Sequence, residues 1–85
     1  MKILTAEDEA VSQKLLVSTL QRMDHEVVET RDGKEAWEVF QQYEDIQVLV
    51  SDWLMPNLDG LELCRLVRAE KRPRYTYIIL LTVLE

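Results

Sequence analysis

Residues 46–67 read IQVLVSDWLMPNLDGLELCRLV, and their hydrophobic period changes partway along. Ile46 to Ser51 is mostly apolar and partly β-branched, the pattern of a short strand. Gly60, Leu63, Cys64 and Val67 then fall at i, i+3, i+4 and i+7, one face of an amphipathic helix. Between the two stand an acid, Asp52, and turn formers, Pro56 and the Asp59-Gly60 pair. A strand that passes through a polar loop into a helix is half of a βαβ unit, so the fold depends on whether the remaining chain repeats it.

It does. Ile3 to Ala6, Val27 and Val28 with their flanks, and Tyr77 to Thr82 read as three further strands. Val11, Leu15, Leu16, Thr19, Leu20 and Met23 share one face of a 3.6-residue repeat, and Ala36, Val39, Phe40 and Tyr43 share another, which gives two more helices. Asp32 caps the second helix, and Glu35, three residues on, reaches back to complete a capping box. The first helix stops near Asp24, a residue type that tolerates left-handed backbone, and the third fades before Pro73. This strict alternation predicts an α/β fold with a parallel sheet and helices on both faces. The third and fourth strands, apolar throughout, are expected to be covered on both sides.

At 85 residues the chain holds one compact unit at most. A composition 47% hydrophobic and 31% charged, with two Gly and two Pro, excludes a disordered or collagen-like segment. Ten Lys and Arg against sixteen Asp and Glu, a net charge of -6, argue against a nucleic-acid or anionic-membrane surface. Cys64 is the single cysteine, so no internal disulfide or two-cysteine zinc site forms. No apolar run approaches a membrane span and the N-terminus turns acidic at once, so a cytoplasmic location is expected. Trp37, Trp53, Met55 and Cys64 read as packing residues, His25 as exposed, and Lys71, Arg72 and Arg74 as a solvated basic loop.

Ligands of parallel α/β sheets bind beyond the carboxyl ends of the strands. Glu7, Asp8 and Glu9 follow the first strand, Asp52 the third, and Thr82 ends the fourth. If the first and third strands are neighbours, Asp8 and Asp52 lie side by side. Clustered carboxylates repel unless a cation sits among them, and oxygen ligands of this kind suit Mg²⁺ with a phosphate. A carboxylate held there can itself be the nucleophile toward phosphorus, with the Thr82 hydroxyl bonding a phosphoryl oxygen.

The string SDWLMPNLDGLEL, with AEDE upstream and IILLT downstream, resembles the receiver domain of two-component response regulators along the whole chain. The resemblance implies a flavodoxin-like, three-layer fold, here four parallel strands in the order 2-1-3-4 with three helices. It makes Asp52 the phosphoacceptor, Asp8 a direct Mg²⁺ ligand, Glu7 the acid that holds the metal through water, and the Leu54 carbonyl the main-chain ligand. Pro56 and Asp59-Gly60 shape the loop that presents that carbonyl. Thr82 matches the switch hydroxyl, with Val83 after it where the family usually has a smaller residue. Leu54 and Leu84 flank the phosphoryl position with apolar side chains, which implies slow self-dephosphorylation of a complete domain.

Similar domains continue through a fifth strand, which ends in a lysine, and two flanking helices. Residues 1–85 therefore read as the N-terminal part of such a domain. The implied function is transfer of a phosphoryl group from the phosphohistidine of a histidine kinase or phosphotransfer protein to Asp52, followed by a conformational switch. Two alternatives stand beside it: an inert interaction module or engineered folding fragment, and a Mg²⁺-dependent phosphatase with an aspartyl nucleophile. The phosphatase wants a second Asp two residues after the nucleophile, where this chain has Leu54. An apolar fourth strand without an outer neighbour also predicts self-association.

Overall fold

The computed structural model describes residues 1–81. Its elements run β1 (Lys2–Ala6), α1 (Ala10–Arg22), β2 (Glu26–Thr30), α2 (Gly33–Gln42), β3 (Val48–Asp52), α3 (Gly60–Ala69) and β4 (Tyr77–Leu81). All strand pairs are parallel, as the alternation predicted, and the sheet order is β2-β1-β3-β4, as the resemblance implied. The register sets Ala6 of β1 opposite Ser51 of β3, so the acids that follow each strand emerge together at one edge of the sheet.

One face of the sheet carries the core. Leu4, Ala6 and Leu49 pack against Ala36 and Phe40 of α2 and Leu63 and Val67 of α3, with Ile46 below and Ile78 at the margin. Two glycines let backbone approach backbone here. A Cβ at Gly33 would overlap the Leu58 carbonyl, and one at Gly60 would overlap the carbonyl of Asp52, so both helices start hard against the loop that follows β3. Asp24 adopts φ 66°, the left-handed turn expected just after α1. Asn57, with φ 71°, makes a second such turn in the β3–α3 loop.

Several expectations are corrected. Only part of the apolar stripe of α1 turns inward: Val11, Leu15 and Met23 are exposed, while Leu16 and Leu20 are partly buried together with Val17 and the buried Gln13. The sheet beneath α1 explains this, since Thr5 and Thr30 present polar atoms that an amide satisfies and an aliphatic chain would not. β4 is covered on one face only among the described residues, with Tyr77, Ile79 and Leu81 exposed. Arg72 is not solvated loop. It donates to the carbonyls of Tyr43, at 2.6 Å, and Phe40, closing the carboxyl end of α2, and stacks over the Phe40 ring. Trp53 is half-exposed, whereas Trp37 and Met55 do pack on the core. His25 and Cys64 are each partly buried.

Candidate functional site

A strand that ends in mid-air must turn, and here the turns carry the chemistry. Between the last residue of β1 and the first of α1 lie only Glu7, Asp8 and Glu9. Glu9 caps α1, its carboxylate accepting from the backbone N–H groups of Val11 at 3.2 Å and Ser12 at 2.6 Å. These bonds hold its carboxyl below the usual carboxylate range. Glu7 is turned the other way, into the protein: it is buried, its backbone N–H donates to the Thr30 carbonyl, and its carboxylate accepts from the Glu9 N–H at 2.9 Å. Asp8 between them is exposed.

β3 supplies the third acid. Asp52 is its last residue and half-buried. Glu7, Asp8 and Asp52 each offer a carboxylate oxygen, and these atoms lie within 4.8 Å of one another. The sequence expected Asp8 and Asp52 to meet if the first and third strands were neighbours, and β1 and β3 are paired. The electrostatic cost falls on Asp52: burial, then the adjoining Glu7 carboxylate, then Asp8, push its pKa up from 3.8 to about 7. Three oxygen donors that cannot all stay charged without help fit a hard divalent cation, which would be held by Glu7, Asp8 and Asp52.

The loop after β3 is fastened at both ends. The Trp53 N–H donates to the Leu81 carbonyl at 2.9 Å, and the Trp53 carbonyl accepts from the Gly60 N–H at 2.8 Å. In its middle the Asn57 amide donates to Asp32 at 3.0 Å, while the other Asp32 oxygen caps α2 through the Glu35 N–H at 2.8 Å. Glu35 does reach back, to the N–H of Arg31, one residue short of the expected partner. Leu54, the expected main-chain ligand, directly follows the half-exposed Trp53 in this tethered loop, with its side chain exposed. Thr82, Val83 and Leu84 lie outside the described residues.

Sequence reading missed Gln13. It joins α1 to the Thr5 hydroxyl and the Thr30 carbonyl directly beneath Glu7. In the sequence it stands out only as a polar residue three, four and seven places before Leu16, Val17 and Leu20.

Comparison with known proteins places the chain in context. The sequence profile described as the response regulator receiver domain matches residues 3–85. A chemotaxis protein CheY homolog of Campylobacter jejuni is 41% identical over 83 residues, covering 96% of this chain and 64% of its own length. The chain thus spans less than two thirds of that relative. The structure of Vibrio cholerae chemotaxis protein CheY4 superposes with a TM-score of 0.89 at 31% identity, covering 99% of this chain and 69% of that one. The receiver domain of Saccharomyces cerevisiae Ssk1, solved in complex with the histidine phosphotransfer protein Ypd1, shares the fold. It has a TM-score of 0.87 at 20% identity and covers 100% of this chain and 65% of its own.

Proposed function

The chain belongs to the response regulator receiver domain family, and on that premise we propose that it accepts a phosphoryl group on Asp52 with Mg²⁺ held by Glu7, Asp8, Asp52 and the Leu54 carbonyl. The observation that carries this reading is the meeting of three carboxylates within 4.8 Å at the ends of two adjacent parallel strands. When bound, the cation neutralises charge on the phosphoryl oxygens. The protein's own contribution is position. Asp52 Oδ attacks phosphorus in line, the P–N bond of the donor phosphohistidine breaks, and the imidazole leaves with the bonding electrons and takes up a proton. The raised pKa of Asp52 keeps much of it protonated near neutrality without a cation, so cation binding and nucleophile ionisation are coupled.

The donor in this reading is a histidine kinase or a histidine phosphotransfer protein. The fold likeness to a receiver solved with Ypd1 supports it, as do the exposed apolar side chains of Val11, Trp53 and Leu54 beside the acids. Thr82 would then bond a phosphoryl oxygen and begin the switch. No helix among the described residues is long and apolar enough to cross a membrane.

The test has two arms. Titration with Mg²⁺ should quench or enhance Trp53 fluorescence in the wild type and leave Asp8→Asn nearly unresponsive. Acetyl phosphate with Mg²⁺ should add one hydroxylamine-labile phosphoryl group to the wild type and none to Asp52→Asn. Equal responses in either pair would overturn the assignment.

A further inference from the structure

Gln13 shares the buried side of α1 with Leu16, Val17 and Leu20, where an aliphatic side chain is the usual occupant, and it is only 8% exposed. Both ends of its amide are used. Oε1 accepts from the Thr5 hydroxyl at 2.9 Å, and Nε2 donates to the Thr30 carbonyl at 2.5 Å. The Thr30 hydroxyl donates in turn to the Thr5 carbonyl at 2.7 Å, which closes a ring of bonds joining α1, β1 and β2. Both threonines are fully enclosed, so these bonds compete with no water.

The ring sits directly under the acids. The Thr30 carbonyl that Gln13 grips also accepts the backbone N–H of Glu7, at 3.2 Å. One oxygen therefore ties together the helix, the neighbouring strand and the main chain of the buried acid. The connection from β1 to α1 is three residues long, so any shift of α1 against the sheet must pass through Glu7, Asp8 and Glu9. A side chain that only filled space could not fix that shift.

We propose that Gln13 is a positioning residue for divalent-cation binding: by clasping Thr5 and the Thr30 carbonyl it holds Glu7 in reach of Asp8 and Asp52. The inference rests on the Mg²⁺ reading above. Outer partners of ligating groups orient them, and their removal typically weakens metal binding about 10- to 100-fold.

The test separates positioning from stability. Gln13→Met, Thr5→Val, the double variant and a control, Ile46→Val, are compared with wild type by urea unfolding and by Mg²⁺ titration through Trp53 fluorescence. Gln13→Met should lower the urea midpoint and weaken Mg²⁺ binding about ten-fold or more. The double variant has apolar groups at both ends of the Thr5–Gln13 bond and should regain much of the midpoint, because no hydroxyl is left unpaired. Its Mg²⁺ affinity should stay weak, because the grip on Thr30 is still missing. Ile46→Val should lose midpoint and keep affinity. Wild-type affinity in the double variant, or an equal loss of affinity in Ile46→Val, overturns the proposal. If Gln13→Met does not fold, the double variant carries the test alone. A wild type that responds to Mg²⁺ no better than Asp8→Asn overturns the metal reading and this inference with it, whereas normal wild-type binding with insensitive Gln13 variants overturns the inference only.

Discussion

Asp52 is where folding and chemistry oppose each other within one residue. Its pKa rises from 3.8 to about 7 through burial first and the Glu7 and Asp8 charges second, so the folded chain binds a proton at Asp52 that the unfolded chain has already released. Stability from this group is complete below pH 4 and is lost as the pH climbs toward 7. A shift of that size corresponds to about 4 kcal/mol at 1.36 kcal/mol per unit, and screening of a half-exposed carboxylate cuts it to about 1–2 kcal/mol. In EDTA, the difference in urea unfolding energy between Asp52→Asn and wild type should therefore grow by about 1–2 kcal/mol in favour of the variant from pH 4 to 8. Saturating Mg²⁺ should erase the gain, since only the wild type has the full ligand set. A variant no more stable than wild type at pH 8 would show that the acid cluster carries no strain. Such opposition was legible in the sequence. Acids placed just after parallel strands share one edge of the sheet and meet once those strands are neighbours, whereas the partial burial of Asp52, which sets the size of the shift, needed the packed structure.

At the scale of elements, the start of α2 shows what local pattern reveals and where it stops. Asp32 and Glu35 were legible as a cap because their spacing is local, and the Asp32 carboxylate does accept the Glu35 N–H. That bond is the first cause of the lowered Asp32 pKa; the amide of Asn57, twenty-five residues away, adds to it. No periodicity could reveal that second bond, nor the clash that bars any side chain at Gly33, nor Arg72 closing the far end of the same helix. The stripe on α1 was misread for a related reason: period identifies a face but not its neighbour, and the neighbour here is a pair of threonines. Asp32→Ala should cost about 1 kcal/mol at pH 7 as a lost cap. A carboxylate with a lowered folded pKa stabilises above its unfolded value, and that stabilisation is lost as pH falls through the folded one. The cost should therefore shrink as the pH falls below the ordinary carboxylate range and Asp32 itself protonates. Urea midpoints for both proteins at pH 7 and at the acid end decide it; a cost that stays constant would mean that the charge plays no part.

The whole molecule is a sheet finished on one face and unfinished on the other among the described residues. Leu4, Leu49 and Ile78 lie under α2 and α3, while Gln13 and its neighbours hold α1 over β1 and β2. Nothing described reaches β4 on the α1 side, where Tyr77, Ile79 and Leu81 remain 64%, 49% and 38% exposed. β4 is also an edge of the sheet, with a row of backbone groups free to pair and neither Lys nor Pro in Tyr77–Leu81 to prevent it. Completing the burial of three half-covered side chains recovers roughly 1 kcal/mol each, or about 6 kcal/mol across a symmetric pair of chains. Association costs at least about 4 kcal/mol, so pairing of the two edge strands must add to the remainder for the 85-residue chain to reach a millimolar dissociation constant. Sedimentation equilibrium over about 10 µM to 1 mM should show a rising mean mass. Ile79→Lys, which puts a charge at the centre of the uncovered face and on the edge strand, should hold the chain monomeric across that range. Asp52 phosphorylation by acetyl phosphate should survive in that variant, because position 79 lies two residues below the sheet end that carries the acids. A wild type that stays monomeric throughout, or an Ile79→Lys variant that associates as the wild type does, would mean that this face is stable in water and that the edge, apolar as it is, recruits no second chain.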